Sequence, residues 1–464
     1  MKKTCKILLT FTMTFGLGLS SIATVNASSI GNTQNFNLAG VISDSDNINS
    51  MSEKDNNTVS SEKSVDSKAE IKNIRVQVSA VNDGDTDVPP DYPVVIKFDS
   101  DIDVVDNSKI TLKGGDKNYP VKSSVYDGML VIEHDDLPYD SSFTLNIEPG
   151  AVNNSAGTLY NDKYTVSFNT GKEFNRLQGI DRYATSISVS QKWSSSEYAV
   201  LASGEDFADA LSAAPLAKEY EAPILLTNPK TLMPNTEAEL SRLGVKKVFI
   251  IGGNASVSKE IEDKLSAKGI EITRLSGLDR YETSLAVANY IGTDNGEMFV
   301  VSGVNFPDAL SIASYAAYSQ TPIILTDGVK LSEGIQNFVK THDVNKTHLI
   351  GGSGVVSEDV ASKLPNAERI GGLDRYETNL KVLENFEFYY GATMFASGQG
   401  FADALSGSAL AALSNSPIIL MDEDMVNRTD ITSELAGLKS DVKMKWIIGG
   451  EGVIPSSVVY KVFK

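Results

Sequence analysis

Residues 274–326 read RLSGLDRYETSLAVANYIGTDNGEMFVVSGVNFPDALSIASYAAYSQTPIILT. Tyr281, Leu285, Ala288 and Ile291 recur at helical spacing, so this stretch opens with an amphipathic helix. MFVVSG follows as a continuous apolar run of strand length, a second helix begins near Phe306 and Pro307, and PIILT is another apolar run. Strands that are apolar throughout, rather than alternating, are buried on both faces. Interleaved with helices, they predict a parallel sheet covered on both sides.

The same order of blocks occurs three times. RLQGIDRYATS begins at Arg176, RLSGLDRYETS at Arg274 and RIGGLDRYETN at Arg369. Each is followed by ASGEDFADALS, VSGVNFPDALS or ASGQGFADALS, then by APILLT, TPIILT or SPIILM, then by FIIGG, HLIGG or WIIGG. Tyr376, Leu380, Leu383 and Phe386 repeat the helical spacing of the middle copy, and SEGIQNFVKTH supplies a helix between its later strands. Three copies of four ordered blocks define three tandem α/β modules with parallel sheets, 174–268, 272–366 and 367–464.

Upstream, the period changes from helical to two. Phe143, Leu145 and Ile147 share one face of FTLNIE, Tyr164, Val166 and Phe168 one face of YTVSFN, and Asp127-Gly128 stands where a two-residue hairpin turn belongs. Further strands are expected around 71–79, 93–98, 109–113, 119–125 and 129–134. About seven strands in a hundred residues predict an immunoglobulin-like β-sandwich over 70–171. Residues 28–69, rich in Ser, Asn, Asp and Lys, read as a flexible linker. Lys2, Lys3 and Lys6, the apolar run 7–22 and the small-residue end at Ala27 read as a signal peptide over 1–27.

Composition narrows the functional classes. The formal net charge of −19 includes three lysines of the leader, so the exported chain is more acidic still, which argues against nucleic acid and anionic lipid as partners. Membrane insertion is not expected once the leader is cut. Cys5, the one cysteine, lies in that leader, which excludes thiol catalysis, zinc–cysteine sites and disulfides in the mature chain. No LPxTG-like sorting signal precedes Lys464, so attachment to a cell surface is expected to be non-covalent, released by denaturant or low pH.

The G[IL]DRY, SGxxFxDALS, PI[IL]L and IIGG-like blocks resemble the type 2 cell-wall-binding repeats of clostridial surface proteins. VPPDYPVVIKFDSDID and FTLNIEPGAVNNSAGTLYNDKYTVSFNTG resemble a bacterial Ig-like domain. The first resemblance implies three modules around a pseudo-threefold axis, non-covalent binding of an anionic secondary wall polymer, and a secreted, wall-associated location among other surface-layer proteins. It also points to the PI[IL]L segments as the polymer site: Pro223, Ile224, Leu225 and Leu226; Pro322, Ile323, Ile324 and Leu325; Pro417, Ile418, Ile419 and Leu420. In a parallel sheet, ligands gather beyond the carboxyl ends of strands, here toward Thr227, Thr326 and Met421. On pattern alone the same segments are core strands.

Arg182, Arg280 and Arg375 each follow an aspartate. They are candidates either for charge-assisted contacts to the polymer or for structural ion pairs with Asp209, Asp308 or Asp403. The Gly pairs 252–253, 351–352 and 449–450 are expected to make tight strand-to-helix turns, with anion binding at their NH groups as the alternative. Catalysis is not expected. Ser203, Ser302 and Ser397 lack a base in common, since His134, His342 and His348 do not recur through the copies. Paired carboxylates of a glycan-cleaving enzyme stay open as the rival reading. Asp99, Asp101 and Asp103 lack the glycine and bidentate acid of a calcium loop, so neither a metal nor a cofactor is expected. Triplication favours binding, because three linked weak sites gain avidity without new contacts.

Overall fold

A computed structural model describes residues 72–154, 156–206 and 208–463, together with a short antiparallel pair, Leu9–Thr10 with Thr24–Val25. The rest of the expected leader and the linker lie outside the described residues. Among the described residues no helix is long and apolar enough to cross a membrane.

Residues 72–170 form the β-sandwich. One sheet runs Val121–Tyr126, Met129–His134, Val94–Phe98, Val76–Ser79; the facing one runs Asp85–Val88, Tyr164–Thr170, Ser142–Ile147, Ile110–Gly114, Lys117–Tyr119. Alternation does what the pattern predicts: Phe143, Leu145 and Ile147 are buried against Ile96, Leu130, Ile132 and Val166. Asp127 and Gly128 both have positive φ, 49° and 70°, the conformation a two-residue hairpin turn demands. The sandwich has more strands than the seven expected. Val104–Val105, Val152–Asn153 and Leu159–Asn161 are too short to show a period and join Lys72–Ile74 in a small third sheet. Asp99 is occupied locally, accepting from the Arg75 N–H at 3.0 Å.

Each repeat supplies three parallel strands. In the first they are Tyr198–Ser203, Ile224–Thr227 and Lys247–Ile251; in the second Glu297–Ser302, Ile323–Thr326 and Lys346–Ile350; in the third Ala392–Ser397, Ile418–Met421 and Met444–Ile448. The fourth strand of each sheet is borrowed. Glu271–Leu275, which opens the second copy of the motif, pairs with Lys247–Ile251 of the first, and Ala367–Ile370 likewise joins the second. The third sheet is completed from the far end of the repeat region by Phe174–Leu177, with Phe174 opposite Lys445 and Leu177 opposite Ile448. The repeats therefore close into a ring.

The ring is filled by the helices that follow the first strand of each module: Ala213–Glu219, Pro307–Tyr318 and Ala402–Leu413 pack against one another. They are apolar almost all round, as a helix surrounded by protein must be. Ala309, Leu310, Ile312, Ala313, Ala316 and Ala317 of the middle one are fully buried. The helices opening with the DRY motif, Arg182–Ser190, Arg280–Ile291 and Arg375–Asn385, each lie on the central helix of the preceding module, taken cyclically. This is the pseudo-threefold packing implied by the resemblance.

The sandwich docks where the third module meets the first. Tyr139 Oη donates to the Lys443 carbonyl at 3.1 Å, Lys443 pairs with Asp136 at 2.7 Å, and Lys192 bridges Asp87 at 3.1 Å while lying over the Trp446 ring. Tyr92 meets Tyr389 edge-on, 6.1 Å between ring centres.

Candidate functional site

The carboxyl ends of the strands collect the repeated polar motifs. The aspartate of each DRY triplet caps the helix it begins: Asp181 accepts from the Ala184 N–H at 2.8 Å, Asp279 from Tyr281 and Glu282 at 2.9 Å, and Asp374 from Tyr376 and Glu377 at 3.0 Å. The turn before each cap is tied to the helix by a second bond, from the N–H of Gly179, Gly277 or Gly372 to Thr185, Thr283 or Thr378, 3.1 Å in every copy.

The arginine and tyrosine of the triplet hold the SG turn of their own module. Arg182 donates to the Gly204 carbonyl at 2.5 Å, Arg280 to Gly303 at 2.8 Å, and Arg375 to Gly398. A Cβ at any of these glycines would run into the ring of Tyr183, Tyr281 or Tyr376, which is why the turn carries none. The guanidiniums also reach across the junction between modules. Arg182 lies 5.5 Å from the Phe401 ring centre and Arg375 lies 5.6 Å from that of Phe306, and the centres of these two phenylalanine rings are 6.3 Å apart.

Asp308 and Asp403 sit beneath these contacts. Burial pushes both carboxyls up to about 6 from an ordinary 3.8. The Thr378 hydrogen bond and the weaker pull of Arg375 on Asp308, and the pull of Arg182 on Asp403, offset only part of that cost. Arg375 and Arg182 thus act on the aspartate of the neighbouring module, at longer range than a closed ion pair, while their direct hydrogen bonds go to backbone carbonyls. The closed ion pairs expected from the sequence are not formed among the described residues, and Asp209 instead accepts from Ser256.

A second set of arginines clamps the Gly-Gly turns. Arg176 Nη1 donates to the Gly449 carbonyl at 2.5 Å, Arg274 to Gly252 at 2.7 Å, and Arg369 to Gly351 at 3.2 Å. The first N–H of each pair, at Gly252, Gly351 and Gly449, is already bonded to the fourth strand. These glycines take φ of 101°, 117° and 111°, so they are tight turns as expected, and that N–H is not available to an anion.

The PI[IL]L segments lie deeper than the carboxyl-edge loops. Pro223, Pro322 and Pro417 are buried, and Ile224, Leu225, Leu226, Ile323, Ile324, Leu325, Ile418, Ile419 and Leu420 are at most 2 % exposed. They form the edge strand of each sheet, and the DRY helix covers that edge: Ser186 accepts from the Leu226 N–H at 3.1 Å, Ser284 from Leu325 at 2.9 Å, and Asn379 from Leu420 at 2.9 Å. Thr227, Thr326 and Met421, expected just beyond the strands, are their last residues and are themselves buried.

The first groups open to solvent come one residue later. Asn228 donates to Glu205 at 2.5 Å; Asp422 accepts from Tyr376 and, at 2.6 Å, from Gln399. With Tyr183 and Tyr376 these make clusters of an aromatic ring with planar polar groups. Ser203, Ser302 and Ser397 are nearly buried and accept from N–H groups of their own turns, Glu205, Val304 and Gln399, at 3.2, 3.2 and 3.1 Å.

The three modules thus form a ring with matching loops on one edge, and the sandwich is docked on it. The chain belongs to the cell wall binding domain 2 (CWB2) family, whose model matches residues 176–262, 274–361 and 369–459. Residues 70–170 match a bacterial Ig-like domain. The chain is 32% identical over 246 residues to the N-acetylmuramoyl-L-alanine amidase LytC of Bacillus subtilis, covering 53% of this chain and 49% of that one. It is 34% identical over 268 residues to the amidase enhancer of the same organism, 57% of this chain and 37% of that one. It spans about half or less of the length of these curated relatives. Among solved structures, Cwp8 from Clostridium difficile superposes with a TM-score of 0.58 at 28% identity, over 71% of this chain and 59% of that one. Cwp6 from the same organism gives 0.61 at 24% identity, over 84% and 68%, a likeness of fold. The repeats are cell-wall-binding domains, and the chain is wall-associated through them.

Proposed function

We propose that this chain is an exported surface protein held non-covalently to a Gram-positive wall by an anionic secondary polymer, displaying its Ig-like domain for adhesion or for scaffolding within a surface layer. The observation that carries the reading is the placement of Arg182, Arg280 and Arg375 at three matching junctions on one edge of the ring. Each places a guanidinium beside the helix cap of its module, on a chain whose net charge is −19 and where carboxylates are otherwise in excess. The polymer runs over the loops that follow the PI[IL]L strands, and those strands support the loops from below. Other surface-layer proteins are the further partners; nucleic acid and the bilayer are not.

The names of the two Bacillus relatives favour a second reading, a wall-remodelling enzyme. Against it, the repeated serines are committed to their turns, and the matched part covers 49% or less of either relative. Rebinding separates the two. Purified protein is expected to sediment with sacculi carrying their secondary polymer, to lose that binding when the polymer is stripped with acid, and to release no peptidoglycan fragments. Equal binding to stripped sacculi, or fragment release, would overturn the proposal.

A further inference from the structure

Exposed apolar side chains in the repeats gather at one edge. Ile180, Leu278 and Leu373 are 99, 95 and 95% exposed, and Val304, Val329 and Val453 are also exposed. All six lie in loops leaving the carboxyl ends of strands; among the described residues of the repeats, the other exposed large hydrophobics are Tyr290 and Tyr460. Single exposed aliphatics are ordinary on a protein surface. A fully exposed one at the same position of three repeats that differ at most of their surface is not, because nothing in the fold uses it.

The loops present these residues rigidly. Besides the Gly-to-Thr bond in each copy, the Leu278 N–H donates to Glu282 at 2.9 Å and the Leu373 N–H to Glu377 at 2.8 Å, and the next residue is the helix cap. Each side chain therefore projects at full length from a fixed backbone, two residues from the junction arginine.

We propose that Ile180, Leu278 and Leu373 are the apolar contacts of the polymer site, each packing against the C–H face of a sugar ring whose hydroxyls meet the neighbouring polar cluster and whose acidic groups meet the junction arginine. The inference rests on the polymer-binding reading above and names the chemistry of that site: a polymer with pyranose-like rings as well as charge. A single aliphatic side chain flanked by Asp and Arg matches the scale of a sugar, apolar on its face and polar at its rim. A protein partner would need a contiguous patch of about 800 Å² with an apolar centre, whereas here the three tips stand in separate modules. A bilayer with anionic headgroups would repel a chain this acidic.

The test is the full chain carrying Ile180→Ser, Leu278→Ser and Leu373→Ser, beside a counterpart with Met at the same three positions, assayed on polymer-bearing and acid-stripped sacculi. Because the side chains bury nothing, melting is expected to be unchanged. Loss of one tip should weaken binding about tenfold at its site, and the serine triple by a hundredfold or more overall, with the slope of binding against salt retained. The methionine triple should bind within about threefold of the parent. Native melting with undiminished binding of the serine triple overturns the inference and leaves the polymer reading standing. A serine triple that binds sacculi normally but loses self-association assigns the tips to a second copy and overturns it equally. Failure of the parent chain to bind polymer-bearing sacculi brings down both.

Discussion

A fragment cut at the sequence boundaries of the middle repeat, 272–366, is expected not to fold, and residues 174–463 are expected to melt in one transition. The excised piece keeps three strands but loses Ala367–Ile370, the strand that completes its sheet, and carries away all but the first residue of Glu271–Leu275, which belongs to its neighbour. Its central helix would expose Ala309, Leu310, Ile312, Ala313, Ala316 and Ala317 wherever the two partner helices had covered them. Fully burying one large apolar side chain is worth about 1.5–3 kcal/mol. Leu310 and Ile312 alone would account for about 3–6 kcal/mol, and with the four alanines and the missing strand the loss is comparable to the roughly 5–15 kcal/mol that holds an ordinary domain together. Circular dichroism of the fragment and calorimetry of the ring check this; a folded monomeric fragment, or three separate transitions, would contradict it. Deleting 174–268 is for the same reason no clean test of avidity, because it also removes Phe174–Leu177 from the third sheet.

Arg375→Ala is expected to cost about 2–4 kcal/mol, several times the effect of an ordinary surface arginine. The substitution removes the charge-assisted bond to the Gly398 carbonyl and the contact with Phe306, and leaves Asp308 with less opposing charge. Asp308→Asn should recover part of the loss. In the parent, Asp308 and Asp403 take up a proton more readily folded, at about 6, than unfolded, at 3.8. Their stabilising effect is therefore fully present below pH 3.8 and is lost as pH rises through about 6. Asp308→Asn and Asp403→Asn should each raise stability at pH 7 by on the order of 2 kcal/mol and flatten the profile between these values. Denaturant melts across pH decide it. An Arg375→Ala loss under about 0.5 kcal/mol, or unchanged profiles in the asparagine variants, would show that the junction charges do not act as described.

Much of the fold was legible because its signals are local and repeated. Continuous apolar runs such as MFVVS and IILT predicted parallel strands, and Pro307 stands at the start of the central helix where the DALS block predicted one. The exchange of fourth strands was not legible. Glu271–Leu275 is short and only partly buried, and which sheet it joins depends on how the ring closes, a long-range matter absent from any window of sequence.

At the site the balance is different. The apolarity of PI[IL]L announced a core strand, and its side chains are in the core. The DRY aspartates were readable as helix caps from Asp279 and Glu282, or Asp374 and Glu377, three residues apart, a pattern the sequence reading passed over. The exposure of Ile180, Leu278 and Leu373 had no signal of its own, because an aliphatic residue beside a helix start is more often a staple than a tip.

The most direct test is a hydrogen-exchange footprint of the intact chain with and without polymer released from the wall. Polymer is predicted to slow exchange in the carboxyl-edge loops of all three modules, around 178–183, 276–281 and 371–376 and at the turns after Ser203, Ser302 and Ser397, leaving the amino-terminal ends of the strands and the sandwich unchanged. Protection confined to the sandwich or to the opposite edge of the ring, or no protection at saturating polymer, would contradict it.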